Sequence, residues 1–387
     1  MRLVWVVLDS VGIGAAPDAD AFGDAGANTV AHVLEATGVA LPHLEAMGLG
    51  ALVRMSENAR GPVLGRAFRV HPEGRGKDSL AGHWEMAGLS VDRPFPVYPH
   101  GFPPEVVAAL EQALGVPILA NAVGSGTALL EAFGPEHLAT GRPIVYTSAD
   151  SVLQIAAHEA VVPREQLYAW CESARRVMDG PHRVGRVIAR PFTGSPGRFV
   201  RTAGRHDWVA EPPGRLLPEH LQAMGVFTLA IGKIADLYAH RGFSHTVATA
   251  DNAEGIAAVT QALKCVAGPA LIQANLVDFD SRYGHRRDSA GYARALAELD
   301  QALPTWWDLL SDDDQLWITA DHGCDPTFRG TDHTREDVPW LVFGRGVKPG
   351  RGGIRYSLRD LGATAAALFG AGPWPGQAAN LDADVGV

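Results

Sequence analysis

A chain of 387 residues that is 47% hydrophobic can bury one large core, or a core and a smaller domain. Its net charge of −10 argues against nucleic acid as a partner, because such surfaces are usually basic; a local phosphate site stays open. Cys171, Cys265 and Cys324 have the spacing of neither a disulfide framework nor a cysteine zinc site, and "MRLVWVVLDS" has too short an apolar run for a signal peptide or a membrane span. A cytoplasmic protein with no membrane or nucleic-acid partner and no obligate protein partner is expected.

Leu3 to Leu8 is a valine-rich run ending at Asp9, the pattern of a buried strand with an acid at its carboxyl end. "DSVGIGAAPDADAFGDAGANT" reads as a glycine-rich loop, with Asn28 or Thr29 capping a helix through Leu34. "GRGKDSLAGHWE", Gly74 to Glu85, sets a lone hydroxyl, Ser79, at a helix start. The proline-rich "VDRPFPVYPHGFPP", Val91 to Pro104, cannot be a regular helix and marks the entrance to an inserted domain. Inside the insert, "PIVYTSADSVLQIAAHEA" reads as strand, loop and helix, and "RVGRVIARPF" as a strand. "EPPGRLLPEHLQAMG" is the exit, followed by the strand "VFTLAIG". "ALIQANLVDFD" and "QLWITADHG" repeat the first pattern, apolar strands running into Asp278 and Asp280 and into Asp321 and His322; a helix is expected over Ser289 to Leu303 between them. Several strands ending in polar residues predict an α/β core with its site at the carboxyl edge of the sheet. That core spans residues 1–92 and 215–387, interrupted by a smaller α/β cap over 93–214. Trp5, Trp317 and Trp340 lie in apolar runs and belong to the core.

Asp9, Asp280, His285, Asp321, His322 and His333 are the candidate ligands. Carboxylate oxygen with imidazole nitrogen suits Mn²⁺, Zn²⁺ or Fe²⁺ better than calcium. Singly, each is as readily a cap, a turn or a salt bridge; six at three strand ends and nearby loops are enough for two metals. Neighbouring Asp321 and His322 point opposite ways in a regular strand, so they face different metals or lie in a turn that breaks the alternation. Ser79 is a helix cap, or a hydroxyl made nucleophilic by metal. Gly76 and Gly82 permit close backbone approach, and His83 is either a core histidine or a contact to a transferred phosphate. Arg183, Arg186, Arg190, Arg198, Arg201 and Arg205 form a solvated basic face, or one or two of them grip a sugar phosphate through the guanidinium fork. Lys233, after a strand, points toward the same cleft, and Ser148 with Asp150 forms a loop for sugar hydroxyls or an ordinary turn.

Taken together, "VLDSVGIGAAPDA", "GKDSLAGHWE", "PIVYTSADSVLQIAAHE", "RPFTGSPGRFVRTAGRHD", "VDFDSRYGHRRD", "TADHGCDPT" and "TDHTRE" closely resemble the bacterial phosphopentomutases of the alkaline phosphatase superfamily over almost the whole length. The resemblance implies an alkaline-phosphatase-like core with an inserted cap that closes to exclude water. It implies two Mn²⁺ ions per chain, one held by Asp280, His285 and His333, the other by Asp9, Asp321 and His322. It makes Ser79 the phosphate carrier and places Ser148, Asp150, Arg186, Ile188, Arg201 and Lys233 in the substrate-binding region. The implied reaction interconverts α-D-ribose 1-phosphate and D-ribose 5-phosphate, and the 2-deoxyribose pair, through a sugar bisphosphate, with glucose 1,6-bisphosphate or a similar compound as activator. The family carries threonine where this chain has Ser79. That departure keeps a phosphomonoesterase open as an alternative, beside a mutase acting on another substrate and a sugar-phosphate sensor without turnover.

Overall fold

The computed structural model describes residues 1–53, 63–148, 151–344 and 346–382, which divide into two compact units. One comprises Met1–Pro94 and Pro212–Val387, the other Phe95–Glu211. In the first, eight described strands form one sheet in the order His245–Val247, Phe227–Ile231, Ala270–Leu276, Arg2–Leu8, Gln315–Ala320, Val338–Gly344, Arg66–Val70, Gly350–Arg355. Arg2–Leu8 runs parallel to both neighbours, with Leu8 opposite Leu276 on one side and Ala320 on the other. The central strands are buried along nearly their whole length, which is why they read as continuous apolar runs rather than alternating ones. Trp5, Trp317, Trp340 and Phe68 lie on successive sheet neighbours and pack ring to ring at centroid separations of 5.3, 5.0 and 4.6 Å.

Helices cover this sheet. Asn28 caps Thr29–Thr37 through a side-chain bond from the Ala31 amide, settling the choice between Asn28 and Thr29. The helix expected to end at Leu303 runs on from Ser289 to Leu309, through Pro304, so Trp306 and Trp307 lie within it.

The second unit has its own sheet, in the order Leu119–Val123, Ile144–Thr147, Val152–His158, Arg186–Thr193, Val200–Arg201, with His206–Val209 also paired to Arg186–Thr193. Pro104–Leu114 and Arg164–Val177 pack on one face, and Gly126–Thr140 on the other. "SVLQIAAHEA" forms the strand Val152–His158 and not a helix. All seven of its residues are buried, Gln154 and His158 among them, so the apolar-in, polar-out alternation that would have marked a strand is absent.

Candidate metal centre and phosphate-carrying serine

Parallel strands bring their carboxyl ends to one edge of the main sheet, and most of the candidate ligands follow from that. Asp9 follows Leu8, Asp321 and His322 follow Ala320, and Lys233 comes two residues after Ile231. Beyond Leu276 the chain winds into a π-helical turn, Phe279–Gly284, which carries Asp280 and delivers His285 through a bond from its amide to the Asp280 carbonyl. Val338–Gly344 runs antiparallel to Gln315–Ala320, so His333, a few residues before it, reaches the same edge. Asp321 and His322 lie past the end of their strand, where alternation no longer applies.

The distances are short. His333 Nε2 and His285 Nε2 stand 3.2 and 3.3 Å from Asp280 Oδ1. His322 Nε2 stands 3.4 Å from Asp9 Oδ1 and 3.5 Å from Asp321 Oδ2. Ligand atoms of Asp9, Asp321 and His322 all lie within 4.8 Å of one another, as do those of Asp280, His322 and His333, and those of Asp280, His285 and Cys324. Asp280 Oδ1 and Asp321 Oδ2 are buried with no hydrogen-bond partner among the described residues. Buried carboxylate oxygens are rarely left so, and clustered O and N donors with unshared lone pairs fit divalent cations.

The electrostatics of the metal-free chain match this picture. Burial works to raise Asp9, but Lys233 and His322 outweigh it and hold the carboxyl far below the usual range. Asp280 is likewise held well down, burial being outweighed by His333 and His285. Burial would lower His322, yet Asp321 and Asp9 push it up to about 10. Against the same burial, Asp280 and Cys324 push His285 up to about 12.

Ser79 opens the helix Ser79–Met86, but it is not the cap. Asp78 caps, accepting from the Ala81 amide. Ser79 Oγ is therefore free to point into the cluster, 3.1 Å from Asp9 Oδ1 and 3.3 Å from His322 Nε2. Lys233 Nζ completes the contact, 3.4 Å from both Ser79 Oγ and Asp9 Oδ2. Two side chains hold the loop leading to Ser79. Glu85 accepts from the amides of Glu73 and Gly74, and from Ser357 and Leu358. Arg335 donates to the carbonyls of Pro72, Gly74 and Gly76. Gly82 brings the helix against Asp321; a Cβ there would come within 2.3 Å of the Asp321 carbonyl oxygen.

In the second unit, Tyr146, Gln154, Ile188 and Asp207 are directly opposed across neighbouring strands and so share one sheet face. Arginines gather there. Arg190 Nε donates to Gln154 Oε1 at 2.9 Å, Arg201 Nη2 lies 3.5 Å from Tyr146 Oη, and Arg186 and Arg205 both pair with Asp207. Burial, with repulsion from Arg205 and Arg201, pushes the Arg190 guanidinium down to about 10. Ile188 is buried, Arg201 is exposed, and Ser148 is half-buried just past Ile144–Thr147. Asp150 lies outside the described residues.

Sequence reasoning passed over three side chains at the metal edge. Asn275 donates to Asp9 Oδ2 at 3.2 Å, and Cys324 Sγ lies 4.0 Å from His285 Nδ1. Glu336, wholly buried, accepts from Gly14, Thr29 and Thr334 and so fixes the loop after Asp9. The strand ends gave a pointer to Asn275, which lies one residue before the end of its strand; nothing local marked the other two.

Comparison with known proteins places this geometry in a family. The metalloenzyme superfamily model matches residues 1–373. The phosphopentomutase of Caldanaerobacter subterraneus subsp. tengcongensis is 50% identical over 374 residues, covering 96% of this chain and 95% of that one. That of Carboxydothermus hydrogenoformans is 48% identical over 381 residues, covering 97% of each. Among solved structures, the PH0037 protein of Pyrococcus horikoshii shares the fold, with a TM-score of 0.51 at 13% identity over 95% of this chain and 97% of that one. With relatives this similar along nearly their full length, and a carboxylate–imidazole cluster built around a serine, the chain belongs to the phosphopentomutase family of the metalloenzyme superfamily.

Proposed function

We propose that the chain is a phosphopentomutase, interconverting α-D-ribose 1-phosphate and D-ribose 5-phosphate, and the 2-deoxyribose pair, with Ser79 as phosphate carrier. The observation that carries this reading is the placement of a buried Ser79 Oγ 3.1 Å from Asp9 Oδ1 and 3.3 Å from His322 Nε2, in a chain about half identical to phosphopentomutases.

Two Mn²⁺ ions would be held here, one by Asp280 with His285 and His333, whose Nε2 atoms stand 3.3 and 3.2 Å from Asp280 Oδ1, the other by Asp9, Asp321 and His322, whose ligand atoms lie within 4.8 Å of one another. When bound, they supply positive charge beside the serine oxygen and the transferring phosphoryl group. Ser79 begins each cycle phosphorylated, primed by glucose 1,6-bisphosphate or a similar sugar bisphosphate. The free hydroxyl of the incoming monophosphate attacks that phosphorus. Its O–P bond forms as the Ser79 Oγ–P bond breaks, and the proton lost by the hydroxyl ends on the released Ser79 Oγ. The resulting bisphosphate gives its other phosphoryl group back to Ser79 Oγ, which leaves the isomeric monophosphate and the phosphoserine. Lys233, an ammonium touching Ser79 Oγ, steadies charge at the phosphoryl end. The arginine-lined face of the second unit offers guanidinium forks for a phosphate. There we assign Arg201 and Arg186 to the substrate, with Ser148, Asp150 and the wall formed by Ile188. Three free cysteines accord with a reducing compartment, and we place the protein in the cytoplasm, acting on small phosphorylated sugars. Among the described residues no helix is long and apolar enough to cross a membrane.

A phosphomonoesterase is the second reading. It is favoured by serine at position 79, which lacks the methyl that restricts the family's threonine. One experiment separates the two. Ribose 1-phosphate is given to Mn²⁺-loaded protein with glucose 1,6-bisphosphate, and ribose 5-phosphate and inorganic phosphate are followed together. Ribose 5-phosphate matching substrate loss supports the mutase; stoichiometric inorganic phosphate replaces it with the esterase.

A further inference from the structure

His83 sits one turn after Ser79 on the same helix, and its ring is fully buried. Nδ1 lies 2.8 Å from the Ser79 carbonyl oxygen and 3.2 Å from Asp321 Oδ2. A carbonyl can only accept, so Nδ1 carries the proton. Nε2 is buried with no hydrogen-bond partner among the described residues, and a proton there would lack an acceptor. The surroundings fix the ring. Tyr238 Oη donates to the His83 carbonyl at 2.9 Å, and the Tyr238 ring lies edge-on at 6.2 Å. Gly82, the preceding residue, presses the helix backbone onto the Asp321 carbonyl.

We propose that His83 is a positioning residue that sets the spacing between the nucleophile and the Asp321 carboxylate. The Nδ1–H donates to the backbone of the first, and the same nitrogen stands 3.2 Å from the carboxylate of the second, a close polar contact rather than a hydrogen bond. The Ser79 end of the helix then cannot move without disturbing the carboxylate, and the orientation of Asp321 depends on an imidazole that never meets substrate. The inference rests on the phosphopentomutase reading for the role of Ser79, but the link between His83 and Asp321 is a property of the chain itself. A histidine that only closed a bond to its own helix would leave Asp321 indifferent to it.

Three variants test this. Asparagine in H83N offers an amide N–H near the Nδ1 position, glutamine in H83Q offers one near Nε2, and leucine in H83L offers none. Three quantities are read: Mn²⁺ binding from the resonance signal of the free ion, the rate of Ser79 phosphorylation by glucose 1,6-bisphosphate at saturating Mn²⁺, and the Tm of the metal-free protein. H83Q and H83L should weaken one of the two Mn²⁺ sites by about 10- to 100-fold and slow phosphorylation, and H83N should recover most of both. Wild-type-like Mn²⁺ binding and phosphorylation in H83L would overturn the proposal. So would an H83N that falls as far as H83L in step with its Tm, since that marks a packing role alone. If H83L does not fold, the contrast between H83N and H83Q decides. Wild-type protein that is never phosphorylated would refute the functional reading instead, and the Mn²⁺ comparison would still judge His83.

Discussion

At the scale of single residues, the chemistry turns on what Ser79 Oγ faces. Its sequence context cannot decide between cap and nucleophile, because both put a hydroxyl at a helix start; only its direction separates them. Asp78 takes the capping bond, and Ser79 turns to Asp9, His322 and Lys233. Ser79→Ala should lower mutase turnover roughly 10⁴-fold or more while Mn²⁺ binding persists, since the carrier oxygen is gone and the ligands remain. Assay of the purified variant with priming bisphosphate checks this, and near-normal turnover contradicts the carrier role. The imidazoles give a second prediction. In the metal-free chain His322 and His285 are pushed up to about 10 and about 12, so both hold protons at pH 7.5. A ligating nitrogen must give up its proton. Mn²⁺ binding at pH 7.5 should therefore release protons, and the release should fade as pH passes 10. Calorimetry in buffers of different ionisation enthalpy measures it, and heats independent of buffer would contradict the assignment.

At the scale of elements, the strand ends were legible and the loops were not. Asp9, Asp280, Asp321 and His322 each follow an apolar run, and parallel pairing of those runs brings them together. The strand Val152–His158 was misread because its residues are buried on both faces, which leaves no period of two to find. Glu85 is ambiguous in its sequence context, and Arg335 has no local signal, because the backbone carbonyls of Pro72, Gly74 and Gly76 that it binds lie far away in sequence. Burial raises the Glu85 carboxyl even against the four donors it accepts from. Glu85→Gln turns an amide NH₂ toward some of those donors. It should cost about 1–3 kcal/mol of stability and slow Ser79 phosphorylation, with Mn²⁺ stoichiometry unchanged. Denaturant titration and a phosphorylation time course check both parts; a variant with unchanged phosphorylation would show that the clamp does not govern the serine.

At the scale of the whole molecule, each unit has its own core and its own polar concentration: acids, imidazoles and Ser79 in one, arginines in the other. The six arginines were visible in the sequence, but which of them share a face depends on strand register. Arg186, Arg190, Arg201 and Arg205 gather around Tyr146, Gln154 and Asp207, whereas Arg183 lies over the Phe95 ring. Arg201→Ala should raise the KM for ribose 5-phosphate by about 10- to 100-fold, the worth of a lost charged hydrogen bond or two, without altering Mn²⁺ content. Unchanged saturation would remove Arg201 from the substrate. The most direct measurement of the central claim is mass mapping of the Mn²⁺-loaded protein after glucose 1,6-bisphosphate, then again after ribose 5-phosphate. The account predicts one phosphoryl group on Ser79 that is still present after ribose 5-phosphate, because each cycle returns one, with no inorganic phosphate released in step. A phosphoryl group on another residue, or none at all, would contradict it.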